Sequence, residues 1–148
     1  MADAGGPHGI SGFEPDIVFE MQPDNTLQIN FAKAEMGQGI VSGIAMLVAE
    51  ELDVAYENIT VKMATSANGL IDSFGTGGSA TTRSMYDPTR ELAATFREML
   101  KTAAAAQWGV DVSQVSTEDG VVPAGSNSMT CIDVVNSTAD WEIPDTPY

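Results

Sequence analysis

Two glycine-rich stretches, each leading into an apolar helical pattern, carry the residues best suited to chemistry. They are Met36-Gly37-Gln38-Gly39 and Gly75-Thr76-Gly77-Gly78-Ser79-Ala80-Thr81-Thr82. A helix start exposes backbone N–H groups without intrahelical partners, together with the positive end of the helix dipole. Glycine lets an anion approach them without a Cβ in the way. In the second stretch the hydroxyls of Thr76, Ser79, Thr81 and Thr82 add further donors. Such a composition suits a phosphate or pyrophosphate cradle made of backbone rather than lysine. It is not a P-loop, because the Gly-Lys-Ser/Thr ending is missing, and its glycine spacing is not that of a dinucleotide fingerprint. Taken singly, each stretch reads first as an ordinary turn before a helix.

Arg83, Arg90 and Arg97 recur every seven residues and Lys101 extends the row, so four of the six basic residues share one helical face. That face either forms surface ion pairs with nearby acids or meets a cofactor phosphate (Arg83 is nearest the glycine loop) or an acidic partner. Twenty-one acids give a net charge of −15, which repels phosphate backbones and argues against nucleic acid as a partner. One cysteine, Cys131, excludes an intramolecular disulfide framework and any four-cysteine metal site within the sequence. Cys131 reads as a small buried residue and Trp108 as a core anchor. One histidine, His8, leaves no His-ligated metal centre or Ser–His triad. No catalytic residue and no metal ligand is assigned.

The elements that must position these stretches follow from periodicity. Residues 1–15 read as a flexible Gly/Pro-rich lead-in, 16–140 as one cofactor-sized domain, and 141–148 as a linker or tail. Ile17-Val18-Phe19 and the alternating Leu27, Ile29, Phe31 predict a hairpin around Pro23-Asp24-Asn25. Ile40, Ile44, Leu47, Val48 and Leu52 predict a helix from about Gln38 to Leu52, and Ile59, Val61, Met63 a strand. A polar loop over 64–78 precedes a long helix ending near Trp108, with Leu92, Phe96, Met99, Leu100 and Ala103 on its inner face. Pro88 either restarts that helix, with Asp87 as N-cap, or kinks it; Gly109 is a C-cap. A small hairpin near Gly120-Val121-Val122 and a short helix from Cys131 to Ala139 complete a β–β–α–β–α–β–β–α order. This is an α/β class, with helices packed on a mixed β-sheet.

The two stretches in order resemble a known family. Ala34-Glu35-Met36-Gly37-Gln38-Gly39 leading into Met46-Leu47-Val48-Ala49-Glu50-Glu51-Leu52, then Gly75 to Arg83 with Asp87-Pro88, is similar to the molybdopterin-binding subunit of the xanthine dehydrogenase family. Within it, the chain looks like the isoquinoline 1-oxidoreductase β-subunit and bacterial aldehyde-oxidising branch. Ala-Ala-Gln-Trp-Gly-Val-Asp and Glu118-Asp119-Gly120-Val121-Val122 continue the likeness, which covers roughly residues 13–147.

The resemblance implies a molybdenum-cofactor-binding domain fragment. Met36, Gly37, Gln38 and Gly39 would lie against the pterin and dithiolene end of the cofactor. Thr76, Gly77, Gly78, Ser79, Ala80, Thr81 and Thr82 would hold the pyranopterin and its phosphate. It implies molybdopterin, as the cytosine dinucleotide in bacterial relatives, with molybdenum. The reaction would be hydroxylation of an aldehyde or N-heterocycle with oxygen from water.

The chain departs from the family's pattern in length, in lacking the Gly-Val-Gly-Glu type motif that carries the catalytic glutamate, and in lacking cysteines for iron–sulfur clusters. A larger catalytic subunit and an iron–sulfur subunit are therefore expected as partners, beside a small-molecule substrate. Trp141, Ile143 and Tyr148 are candidates for the contact. The alternative is a stand-alone module for a phosphorylated or nucleotide ligand. No run is long enough for a transmembrane helix and no signal peptide is visible, leaving cytoplasm or periplasm open.

Overall fold

The computed structural model describes residues 9–12, 17–63 and 75–144. Alternation in Ile-Val-Phe-Glu-Met and Leu-Gln-Ile-Asn-Phe produces β2 (Ile17–Met21) and β3 (Leu27–Phe31). They pair antiparallel, with Ile17 opposite Phe31, Phe19 opposite Ile29 and Met21 opposite Leu27. Those six side chains share one face, and all are buried. On the other face Glu20 accepts from Gln28 Nε2 at 3.1 Å and from Asn30 Nδ2 at 2.9 Å, which satisfies the buried Asn30 amide.

Gly9–Gly12 forms a further strand, β1, antiparallel to β2. The sequence reading has no strand there, because Gly-Ile-Ser-Gly shows no apolar alternation. Beyond β3 the chain crosses through α1 (Ile40–Leu52) and returns as β4 (Ile59–Met63), parallel to β3. The mixed sheet has the order β1-β2-β3-β4. Helix α1 buries Ile40, Ile44, Ala45, Val48 and Leu52. It starts at Ile40 rather than Gln38 because Gly39 lies in the left-handed region at φ 78°.

The second helix, α2 (Thr81–Trp108), is continuous for 28 residues and carries Pro88 inside it. Of the two arrangements left open by the sequence, the helix does not restart at Pro88. Its inner face is the expected one: Leu92, Phe96, Met99 and Leu100 are buried, and the Phe96 ring meets that of Phe19 at 6.5 Å. Gly109, at φ 64°, closes the helix with its N–H on the Ala105 carbonyl. Glu51 at the end of α1 pairs with Arg90, and its carbonyl accepts from Arg97 Nη1 at 2.6 Å. Lys101 pairs with Glu98 at 3.0 Å. The basic row therefore serves mainly to knit α2 to α1 and to its own acids.

The hairpin β5 (Val121–Ala124) and β6 (Asn127–Thr130) leads into α3 (Cys131–Ser137). The Cys131 thiol is buried and pushed up to about 12, first by desolvation and then by the Asp53 charge. It stays a neutral, unreactive thiol at physiological pH. Trp108 and Trp141 pack partly buried against the core, so Trp141 is not surplus surface; Ile143 is 62 % exposed, and Tyr148 lies outside the described residues.

Thr89, one residue past Pro88, is fully buried and its hydroxyl has no partner among the described residues. Valine has the same branched shape without the buried hydroxyl. Thr89→Val is therefore expected to raise stability by about 1 kcal/mol, read from the midpoint of urea unfolding. A loss of stability would mean that the hydroxyl is satisfied.

Candidate functional site

The starts of α1 and α2 lie side by side. The Ala34 N–H donates to Thr76 Oγ1 at 2.9 Å, tying the turn before α1 to the loop before α2. The Glu35 N–H donates to Met63 Sδ at 3.3 Å, tying the same turn to the end of β4. Between the two loops is a cleft of about 460 Å³, lined by Met36, Gln38 and Ile40 on one side and Thr76, Gly77, Gly78, Ser79, Thr81 and Thr82 on the other. Eight of the eleven residues singled out by sequence thus line one cleft. Gly37, Gly39 and Ala80 do not; they shape the two turns. Residues 64–74 of the expected loop lie outside the described residues.

The two helix starts differ in charge. Glu35 turns its carboxylate under the first turn, where Oε1 accepts from the N–H groups of Gly37 at 2.7 Å and Gly39 at 3.1 Å, and Oε2 from Val41 at 3.2 Å. The positive end of α1 is thereby compensated from within. These N–H groups, Val41 and Gly39 foremost, hold the Glu35 carboxyl below the ordinary glutamate range. A lowered folded value means that the stabilisation is present above the unfolded value and is lost only as pH falls through the lowered one. No side chain among the described residues caps the start of α2, where Gly75 at φ 70°, Gly78 at φ 60° and Ser79 at φ 53° are all left-handed. Thr81 is buried in its first turn, while Arg83 is exposed there and has no ion-pair partner among the described residues.

The Gln38 amide is turned into its own loop. Its Oε1 accepts from the Met36 N–H at 2.6 Å, and its Nε2 donates to the Ala34 carbonyl at 2.7 Å. One amide hydrogen on Nε2 remains beyond that bond. Sequence reasoning missed two participants. Glu35 was legible as an acid beside a helix start, a place the dipole favours. Ile40 was read only as core.

Among the described residues no carboxylate lines the cleft, although the chain carries a net charge of −15. Among the described residues no group of three or more His, Cys, Asp or Glu converges to hold a metal ion. No helix among them is long and apolar enough to cross a membrane.

The chain is similar to known proteins. The chain is 29 % identical over 119 residues to the β-subunit of isoquinoline 1-oxidoreductase from Brevundimonas diminuta, covering 76 % of this chain and 15 % of the relative. It is 26 % identical over 129 residues to a membrane-bound aldehyde dehydrogenase (pyrroloquinoline-quinone) of Gluconacetobacter polyoxogenes, covering 86 % and 16 %. A nicotinate dehydrogenase subunit of Pseudomonas putida is 32 % identical over 94 residues, covering 64 % and 8 %. The chain therefore spans only a small part of these relatives.

Among solved structures, quinoline 2-oxidoreductase from Pseudomonas putida 86 superposes with a TM-score of 0.65 at 20 % identity, over 80 % of this chain and 15 % of that one. Reconstituted CO dehydrogenase from Oligotropha carboxidovorans superposes with a TM-score of 0.66 at 16 % identity, over 86 % and 18 %. These two share the fold. The family described as molybdopterin cofactor-binding domain matches residues 6–146, nearly the whole chain, and the chain belongs to that family.

Proposed function

We propose that the cleft between the two glycine turns is one wall of a molybdopterin site in a molybdenum hydroxylase. The observation that carries this reading is the start of α2, without a side-chain cap among the described residues, facing a turn whose own helix end is already filled by Glu35. The donor set fits the group. A Cβ placed on Gly75, Gly77 or Gly78 would meet nothing within 4 Å among the described residues, so their packing leaves the space above the loop open. Hydroxyls of Thr76, Ser79, Thr81 and Thr82 border that space, no carboxylate among the described residues does, and Met36 and Ile40 offer apolar contact for a flat ring.

In this reading backbone N–H groups and hydroxyls from Thr76 to Thr82 bind the phosphate and pterin, and Met36 to Gly39 lie against the dithiolene end. Gln38 directs its remaining amide hydrogen there. When bound, the cofactor supplies the molybdenum centre for hydroxylating an aldehyde or N-heterocycle with oxygen from water. This chain's part is to bind, orient and shield; the general base and the iron–sulfur relay belong to partner subunits. The unit that folds around the site is residues 16–140, and the nucleotide is the cytosine dinucleotide form.

Met36 at 68 % and Met63 at 54 % exposure flank the turn, and burying a large cofactor over them takes a second protein surface of roughly 2,000 Å² or more.

Releasing the cofactor from the natively purified assembly and identifying its nucleotide tests the reading. Cytosine monophosphate liberated in proportion to protein supports it. Tight binding of a phosphorylated ligand without molybdenum would instead make the chain a stand-alone binding module. Gln38→Ala is expected to lower turnover about tenfold more than it lowers molybdenum content. Equal losses would make Gln38 only a brace for the turn.

A further inference from the structure

We propose that Glu35 is a positioning residue: its carboxylate occupies the anion position at the start of α1 and holds the Met36–Gly39 turn in the shape that faces the cleft. The proposal rests on the cofactor reading for what the turn faces, and on the chain's own geometry for how it is held.

The turn has little else to hold it. Met36, Gly37, Gln38 and Gly39 are all exposed. Gly37 at φ 93° and Gly39 at φ 78° are both left-handed, and a Cβ on either would meet nothing within 4 Å. Packing therefore does not select this conformation, and glycine leaves the free backbone many others. Hydrogen bonds select it. Three N–H groups, at positions 37, 39 and 41, converge on one carboxylate. Bonds to an ionised acceptor are the stronger kind.

Around that centre the Gln38 amide brackets the turn between Met36 N–H and Ala34 carbonyl. The backbone of Glu35 is itself fixed by Met63 Sδ, and that of Ala34 by Thr76 Oγ1. The carboxylate thus transmits the placement of β4 and the second glycine loop to the first turn. With α1 filled from within, an external anion is directed to α2.

Amide hydrogen exchange on the protein purified without cofactor tests this directly. In Glu35→Ala, exchange at Gly37, Gly39 and Val41 should be about tenfold faster or more, with the amides of Val121–Thr130 unchanged. Sodium formate, a carboxylate small enough for the vacated position, should restore protection, and neutral formamide of the same shape should not. Should Glu35→Ala fail to fold, Glu35→Gln keeps the shape with half the acceptors and is read by exchange at the three amides alone, because its side chain still fills the position formate would take. Unchanged exchange at the three amides, or a loss that formate leaves unrepaired, overturns the proposal. No cofactor enters this measurement, so a wild-type protein lacking molybdenum would overturn the cofactor reading and leave the Glu35 result standing.

Discussion

Gly77→Leu should empty the cleft of cofactor while leaving the fold intact. Gly77 lines the cleft, is not left-handed, and a Cβ there meets nothing within 4 Å. The β-carbon of a leucine there therefore meets no described residue and needs no left-handed backbone. Replacing an exposed glycine also removes freedom from the unfolded chain, so stability should stay within about 1 kcal/mol of wild type. The added isobutyl group projects into the space where phosphate or pterin must approach the N–H groups of α2. Cofactor content should fall at least about tenfold, a loss of roughly 1.4 kcal/mol in binding. Gly78 is the poorer probe. At φ 60° any side chain costs about 1–2 kcal/mol in backbone strain, which would confuse folding with binding. Wild-type cofactor content in a folded Gly77→Leu protein would remove the loop from the site.

The largest effect on stability is expected at Asn25, far from the cleft. Its Nδ2 donates to the Gly120 carbonyl at 3.0 Å, and its Oδ1 accepts from the Ile132 N–H at 3.1 Å. One side chain on the β2–β3 turn thus fastens the main sheet to the β5–β6 hairpin and α3. Asn25 also sits at φ 64°, a conformation asparagine tolerates better than most residues. Asn25→Ala loses both bonds and keeps the strain, and should cost about 3 kcal/mol. Asn25→Gly loses the bonds but is free of the strain, and should cost about 2 kcal/mol. For a chain of this length those losses lower Tm by roughly 5–10 °C. An alanine variant as stable as wild type would mean that the two units are held by packing alone.

Elements set by local periodicity were legible in the sequence. The β2–β3 hairpin, both long helices, the β4 strand and the Gly109 cap lie where apolar spacing and glycine placement put them. That the two glycine stretches serve one site followed from the family resemblance alone, since two helix starts need not lie together. What escaped is non-local or depends on side-chain direction. β1 forms by backbone pairing without an apolar signature. The row Arg90, Arg97, Lys101 finds partners in Glu51 and Glu98, which leaves Arg83 at the glycine-loop end of α2. Nothing in the spacing of Glu35 and Gln38 told that one would fill the helix start and the other fold onto its own loop.

Molybdenum content of the natively purified protein tests the central claim most directly. The protein should be isolated with whatever chains accompany it, and its metals and extractable cofactors measured per mole of this chain. One relative carries pyrroloquinoline quinone in its name, so the same extract is assayed for that quinone. A molybdenum ratio near one, lost in Gly77→Leu, with molybdopterin in the extract, is the predicted result. Pyrroloquinoline quinone in stoichiometric amount without molybdenum, or neither cofactor in an assembly that retains its partners, would contradict it.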